Sequence, residues 1–298
     1  MQFSYPLNSG DYQLVEPYKY ICESSGKGFR NMLIQAFDYW LQVGETKVKE
    51  IGTIVQGLHM ASLLIDDIED NSKLRRGNPA AHIIYGIPQT INSANFIYFL
   101  MMDHCIKLGD PQACNIFVEE VVRLHRGQGY DIMWRDTNKC PTEEEYYKMV
   151  SEKTGGLFRL GLRLLQTFSN NKTDYSEFIE NLGLYYQIRD DYINLVSSEY
   201  QQNKSFCEDI TEGKFSFPII NAINKDKNDN RLLLILKQKT ESVEVKQYAL
   251  DYIIKMGSIE YTKTIIENLR TKILKQIEDL GGNPILIKML ESLESKKI

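Results

Sequence analysis

Histidine and cysteine are scarce in this chain, and neither is grouped. The four histidines, His59, His82, His104 and His125, form no short ligand cluster, which argues against a zinc centre. The five cysteines, Cys22, Cys105, Cys114, Cys140 and Cys207, are odd in number and show no paired metal spacing. Free thiols in a reducing compartment are therefore expected. No uninterrupted apolar run is long enough to span a bilayer. Residues 1–6 lack a charged segment followed by an apolar one, so no signal peptide is expected, and Ser295-Lys296-Lys297-Ile298 carries no prenylation cysteine. A large excess of charge of one sign is missing as well. With 35 basic and 40 acidic residues the net charge is −5, which leaves no nucleic-acid footprint and no polybasic membrane patch. A soluble, cytoplasmic protein is the expectation.

Strand signals are few, and proline is rare at eight of 298 residues. With 43% hydrophobic residues the chain has ample material for a core, mostly spaced at the helical period near 3.6. The pattern predicts helices over 11–22, 29–42 and 47–70, then a polar, glycine-containing loop over 71–87. Pro88 and Pro111 can open the next two helices, towards Lys107 and over 112–135. Pro141-Thr142-Glu143-Glu144-Glu145 reads as a helix start with acids in its first turn. A helix over 150–168 is predicted to be interrupted at Gly155-Gly156. Residues 175–196 form the next, 197–215 read as loop, and four shorter helices close the chain. No repeat, low-complexity tract or linker divides it. One all-α domain over 1–298, a bundle of helices around a central cavity, is predicted.

Acidic residues are concentrated in two places. The apolar run Ala61-Ser62-Leu63-Leu64-Ile65 ends in Asp66-Asp67-Ile68-Glu69-Asp70, four carboxylates within five residues. Asp66 and Asp70 share a helix face, repel each other and sit where a helix C-terminus disfavours anions. A cation would offset this, and an all-oxygen site suits Mg²⁺ shared with substrate phosphates. One such cluster alone reads better as a solvated helix end. The second, Gln187-Ile188-Arg189-Asp190-Asp191-Tyr192-Ile193-Asn194, changes the odds, because Asp190 and Asn194 again lie four apart after an apolar helical stretch. Two such helices facing each other would clamp one metal–diphosphate group. Cations lie near both motifs: Arg75-Arg76, Lys153, Lys204, Lys214, and Lys27 with Arg30. Each alone reads as a surface charge. Together they fit two diphosphates, one held through metal and one held directly by Lys27, Arg30, His59 and Arg76. His59 lies two turns before Asp66 on roughly the same face. A lone helical histidine is more often a satisfied core residue, but this alignment favours a functional one.

The two acidic motifs resemble the aspartate-rich motifs of trans-prenyltransferases, and their surroundings resemble the eukaryotic geranylgeranyl diphosphate synthases. The matching stretches are Leu58-His59-Met60-Ala61-Ser62-Leu63-Leu64-Ile65, Asn71-Ser72-Lys73-Leu74-Arg75-Arg76-Gly77, Arg126-Gly127-Gln128-Gly129, Lys153-Thr154-Gly155-Gly156-Leu157-Phe158, Asn203-Lys204-Ser205-Phe206-Cys207-Glu208-Asp209 and Gly213-Lys214-Phe215-Ser216-Phe217-Pro218. The resemblance runs from about residue 13 to 290. It implies an isoprenoid-synthase-like helical bundle and a Mg²⁺-dependent condensation of isopentenyl diphosphate with dimethylallyl, geranyl or farnesyl diphosphate to give geranylgeranyl diphosphate. A homo-oligomer, dimer or higher, is implied too.

Roles follow from the resemblance residue by residue. Asp66, Asp70 and Asp190 would ligate two or three Mg²⁺ ions, with Asp67, Asp191 and Asn194 supporting them. Arg75, Lys153, Lys204 and Lys214 would contact the allylic diphosphate, and Lys27, Arg30, His59 and Arg76 the isopentenyl diphosphate. Thr154 and Gln187 would aim oxygen dipoles at positive charge on the allylic carbon. In the related farnesyl synthases aromatic residues just before the first motif block chain growth. Here Ala61 and Ser62 are small, so the floor is expected from Tyr98, Phe99 and His125, which otherwise read as core residues.

Three features depart from the family pattern. Lys27-Gly28-Phe29-Arg30 has fewer basic residues than the bacterial form, Tyr186 stands where phenylalanine commonly precedes Gln187, and Arg159 and Arg163 occupy positions usually small or apolar. Three other readings compete with this one. Class I terpene cyclases carry a different second metal motif, with Asn or Asp, then Ser or Thr, then Glu. A non-catalytic regulatory subunit would have lost acidic or basic site residues that are all present. A helical scaffold with incidental acid clusters would not bind diphosphates with magnesium.

Overall fold

The computed structural model describes residues 7–24, 28–197 and 206–294. Among these residues everything regular is helical except one two-residue-stranded hairpin. The helices that position the candidate site are α1 (Asp11–Leu14), α2 (Glu16–Glu23), α3 (Phe29–Leu41), α4 (Glu45–Glu69), α5 (Ala81–Tyr85), α6 (Ile87–Ile106), α7 (Pro111–Thr137), α8 (Glu143–Thr167) and α9 (Ser176–Val196). Six further helices lie between Glu208 and Glu294. The all-α, isoprenoid-synthase-like bundle is therefore as the sequence led one to expect.

Two compact units divide the chain: Met1–Val121 with Leu157–Asp174 and Asn283–Leu293, and Val122–Gly156 with Tyr175–Gly282 and Glu294–Ile298. In the first, α4 and α6 form the central pair. Ile51, Ile54, Val55, Leu58, Ala61 and Leu64 repeat at helical spacing along α4 and are buried, as are Ala94, Ile97 and Met101 on α6. Phe29 and Phe158 meet with ring centroids 5.9 Å apart. Asn283 donates to the Ala36 carbonyl at 2.7 Å, tying the start of the last helix to α3. In the second unit α9 packs along the helix Ser258–Asp279. Tyr147, Phe217 and Tyr261 stack there at 5.8 and 6.0 Å.

Three local readings need correction. First, α8 runs unbroken through Gly155-Gly156. The glycines serve a close approach, not a break: a methyl on Gly183 of α9 would lie 3.1 Å from the Gly155 Cα. Second, the 71–87 segment is not all loop. It holds the hairpin Leu74–Arg75 with Asn78–Pro79, and then α5. Third, five helices, not four, follow Phe217, and a short one, Glu208–Glu212, lies inside the stretch expected to be loop.

Arg159 and Arg163 are explained by packing within the first unit. The buried Glu120 of α7 accepts from Arg159 at 2.8 Å and from Arg163 at 2.6 Å, while Glu119 takes a second Arg163 nitrogen at 2.7 Å. They form an ion cluster centred on the buried Glu120. All five cysteines are free; Cys105 and Cys207 are wholly buried, and burial pushes both thiols up to about 12.

Candidate active site

The first acidic motif occupies the last turn of α4, and the turn is closed in a defined way. Asn71 adopts left-handed backbone at φ 54°, its N–H reaches the Ile68 carbonyl, and the Ser72 N–H reaches back to Asp67. This pair of bonds is the Schellman ending, and asparagine is one of the few side-chained residues that tolerates its conformation. The carboxylates thus stand at the negative end of the helix dipole. Arg75 answers them: its Nε donates to Asp67 at 2.8 Å, a second nitrogen also contacts Asp67, and Asp66 lies 3.3 Å away. Asp67 is 1% exposed, whereas Asp66 and Asp70 keep part of their surface open.

The hairpin explains how two adjacent arginines serve different ends. Arg76 and Gly77 form its two-residue loop, both with positive φ, as tight hairpins require. A side-chained residue is strained there, and the Arg76 guanidinium is anchored on the Ser24 carbonyl. Arg30 donates to His59 Nε2 at 2.8 Å. Arginine has no acceptor, so that imidazole nitrogen carries no proton. Burial, helped by Arg30, Arg76 and Arg75, holds His59 well below the usual histidine range, so it is neutral. It orients Arg30 and brings no charge of its own. Lys27 and Lys204 lie outside the described residues.

In the second unit α8 and α9 carry Lys153, Thr154, Gln187 and the second acidic motif. A methyl on Gly127 would stand 2.5 Å from the Lys153 backbone nitrogen, so α7 and α8 touch at the Lys153-Thr154 step. Lys153 pairs with the buried Asp131 at 2.7 Å. Thr154 donates to Gln187 Oε1 at 2.6 Å, and Gln187 Nε2 donates to Asp191 Oδ1 at 2.8 Å. The other Asp191 oxygen accepts from Tyr146 at 2.5 Å and from the Phe217 N–H at 2.8 Å. Burial pushes the Asp191 carboxyl up to about 6, against the pull of Lys214 and these donors. Asn194 is 3% exposed and accepts from the Asp209 N–H, bracing the helix Glu208–Glu212. Asp190 is half-exposed.

The substitution Gly127→Ala should therefore lower kcat, by about a hundredfold if Lys153 and Thr154 shift by an ångström, and destabilise the fold by about 1–3 kcal/mol. Gly129→Ala, with nothing within 4 Å of the added methyl, should be harmless. Steady-state kinetics and denaturant melts of the pair check this.

Of the chain-length candidates, Ala61 is fully buried and Ser62 is half-buried, its hydroxyl bonded to the His59 carbonyl at 2.9 Å. Tyr98 lies close enough to Glu69 and Asp66 for their charges, added to burial, to push its phenol up. Phe99 is 70% exposed and His125 is exposed on α7. Tyr146, Asp131 and Glu120 were not singled out from the sequence. Each acts through a partner 22 to 45 residues away, which no local pattern reveals.

Asp66, Asp70 and Asp190 present hard carboxylate oxygens with open surface, the donor chemistry that Mg²⁺ prefers. Among the described residues no three acidic, histidine or cysteine side chains are gathered as a finished metal cage.

Residues 11–253 match the family model for polyprenyl synthetases. The chain belongs to the polyprenyl synthetase family. It is 71% identical over 298 residues to a geranylgeranyl pyrophosphate synthase of Dictyostelium discoideum, covering 100% of this chain and 98% of that one. A geranylgeranyl pyrophosphate synthase of Mucor circinelloides f. lusitanicus is 50% identical over 280 residues, 94% of this chain and 92% of that one. A protein of Matsumurasca onukii named terpene synthase is 48% identical over 290 residues, 96% of each chain. This polyprenyl synthetase is a transferase of isoprenoid diphosphates and depends on Mg²⁺. Among the described residues none of its helices is long and apolar enough to cross a membrane.

Proposed function

We propose that this polyprenyl synthetase condenses isopentenyl diphosphate with dimethylallyl, geranyl and farnesyl diphosphates to make geranylgeranyl diphosphate for isoprenoid biosynthesis. The observation that carries the reading is 71% identity over 98% of the Dictyostelium discoideum synthase. Asp66, Asp70 and Asp190 would hold two or three Mg²⁺ ions, which when bound neutralise the departing diphosphate. Lys153, Lys204, Lys214 and Arg75 add positive charge to the same leaving group, Arg75 exchanging Asp66 for phosphate. The allylic C–O bond breaks with its electron pair going to diphosphate. Thr154 and Gln187 turn oxygen lone pairs to the resulting allylic cation. Lys27, Arg30 and Arg76, with His59 steering Arg30, pin isopentenyl diphosphate so that its double bond supplies the new C–C bond. The proton then lost passes to the released diphosphate. Water is kept out because it would quench the cation.

Product length is assigned to Ala61 and Ser62 on α4, with Tyr98, Phe99 and His125 as the expected floor. Ser62→Phe is expected to stop growth at geranyl or farnesyl diphosphate, and an unchanged product would sink this assignment. We take the chain to work as one domain over 1–298, since neither compact unit is a continuous stretch. The free cysteines support a cytoplasmic location. Exposed apolar side chains such as Phe99, Val118 and Val122 support a homo-oligomer.

The test is a radiolabelled isopentenyl diphosphate assay with each allylic primer, with Mg²⁺ or EDTA, and products resolved by chain length. A geranylgeranyl product formed only with Mg²⁺ is expected. The relative named terpene synthase makes a cyclase the second reading. Hydrocarbon released from an allylic diphosphate without isopentenyl diphosphate would favour it. Asp190-Asp191-Tyr192-Ile193-Asn194, lacking the cyclase pattern, speaks against it.

A further inference from the structure

The protons of the polar chain in the second unit all run towards Asp191. Thr154 gives its hydroxyl proton to Gln187 Oε1 at 2.6 Å, and the Gln187 amide gives one to Asp191 Oδ1 at 2.8 Å. Asp191 is held from its other oxygen by the Tyr146 hydroxyl at 2.5 Å and the Phe217 N–H at 2.8 Å. A threonine hydroxyl has one proton and two lone pairs. Once the proton is committed to Gln187, only lone pairs remain on the other side of Thr154. That is the posture needed to face a cation.

The posture rests on the amide orientation of Gln187. Turned over, Gln187 would offer N–H to Thr154, whose own proton could then rotate outward and meet positive charge with positive charge. A carboxylate only accepts, so Asp191 forces the amide nitrogen to its own side. Tyr146 in turn decides where Asp191 stands. It is 1% exposed and its ring packs on Phe217 at 5.5 Å, so the phenol has little freedom. Burial, then the adjacent Asp191 charge, hold that phenol well above the ordinary tyrosine range. It therefore keeps its proton and remains a donor.

We propose that Tyr146 is a positioning residue for prenyl transfer: by holding Asp191 it fixes the Gln187 amide and makes Thr154 present lone pairs to the allylic cation. The inference rests on the reading of Thr154 and Gln187 as the groups that face that cation. It assigns Asp191 to this chain and not to the metal shell.

The test is a double-mutant cycle on the full chain, with Tyr146→Phe, Thr154→Val and the pair. Tyr146→Phe is expected to lower kcat roughly tenfold or more. KM for both diphosphates and the Mg²⁺ concentration for half-maximal rate should stay as in the unmutated protein. In the Thr154→Val background the same change should cost almost nothing further, because the chain is already cut at its end. Additive losses, or a shifted Mg²⁺ requirement, would overturn the proposal. If Tyr146→Phe does not fold, Asp191→Asn replaces it. That variant lets Gln187 sit either way round, and the same non-additivity with Thr154→Val is expected and the same additivity would overturn. An unmutated protein that builds no prenyl chain would overturn the functional reading and this inference together, whereas an active protein with an additive cycle overturns only the inference.

Discussion

Glu120→Ala is expected to destabilise this polyprenyl synthetase by about 3–5 kcal/mol, a large share of the roughly 5–15 kcal/mol that holds a typical domain. The Glu120 side chain is 1% exposed and takes nitrogens of both Arg159 and Arg163 at 2.8 and 2.6 Å. Arg159 is itself only 9% exposed. Removing the carboxylate takes away the acceptor that Arg159 and Arg163 share, and a largely buried guanidinium cannot lose its proton in answer. Its neighbour is the control. Glu119 binds Arg163 at 2.7 Å from a side chain that is 58% exposed, so Glu119→Ala should cost no more than about 1 kcal/mol. Denaturant melts of the two variants measure the contrast. Equal losses would mean that the cluster is worth no more than surface charge.

Asp66→Asn should act in the opposite sense on stability and far more strongly on rate. If Asp66 holds metal as proposed, its loss is expected to lower kcat roughly a thousandfold or more, with the allylic diphosphate bound less tightly. Without Mg²⁺ the same variant should melt no lower than the unmutated protein. Asp66 stands one turn from Asp70 at the negative end of α4, so removing its charge relieves repulsion worth a few tenths of a kcal/mol, which offsets the loss of its 3.3 Å pairing with Arg75, whose closer partner is Asp67. Asp67→Asn should do the reverse, because that buried carboxylate carries the closest pairing with Arg75. Kinetics and thermal melts with and without Mg²⁺ separate the two residues. Full turnover by Asp66→Asn would remove α4 from the metal site.

Where the chain's chemistry is local, it was legible from sequence. The ends of α4, α6 and α7 follow from helical periodicity with Asn71, Pro88 and Pro111 as punctuation. The acidic motifs announce themselves by spacing alone. What stayed hidden is what needs a distant partner. Gly155-Gly156 looks like a helix break until Gly183 is beside it. Arg159 looks like a solvated or intruding charge until Glu120, 39 residues earlier, is seen to meet it. The hairpin at Leu74–Arg75 is too short to have a period, though Arg76-Gly77 is its turn. Tyr146 carries no local mark either, since its partner Asp191 is 45 residues on.

Cys105 and Cys207 give the two compact units separate clocks. Each thiol is fully buried, one in either unit, and its burial-raised titration leaves almost no thiolate near neutral pH. A disulfide reagent can reach such a sulfur only while its surroundings are open. With Cys22, Cys114 and Cys140 replaced by serine, the labelling rate at each remaining site reports how often that unit breathes. A global melt averages the units into one number, whereas the two sulfurs would resolve which of them a diphosphate ligand quiets.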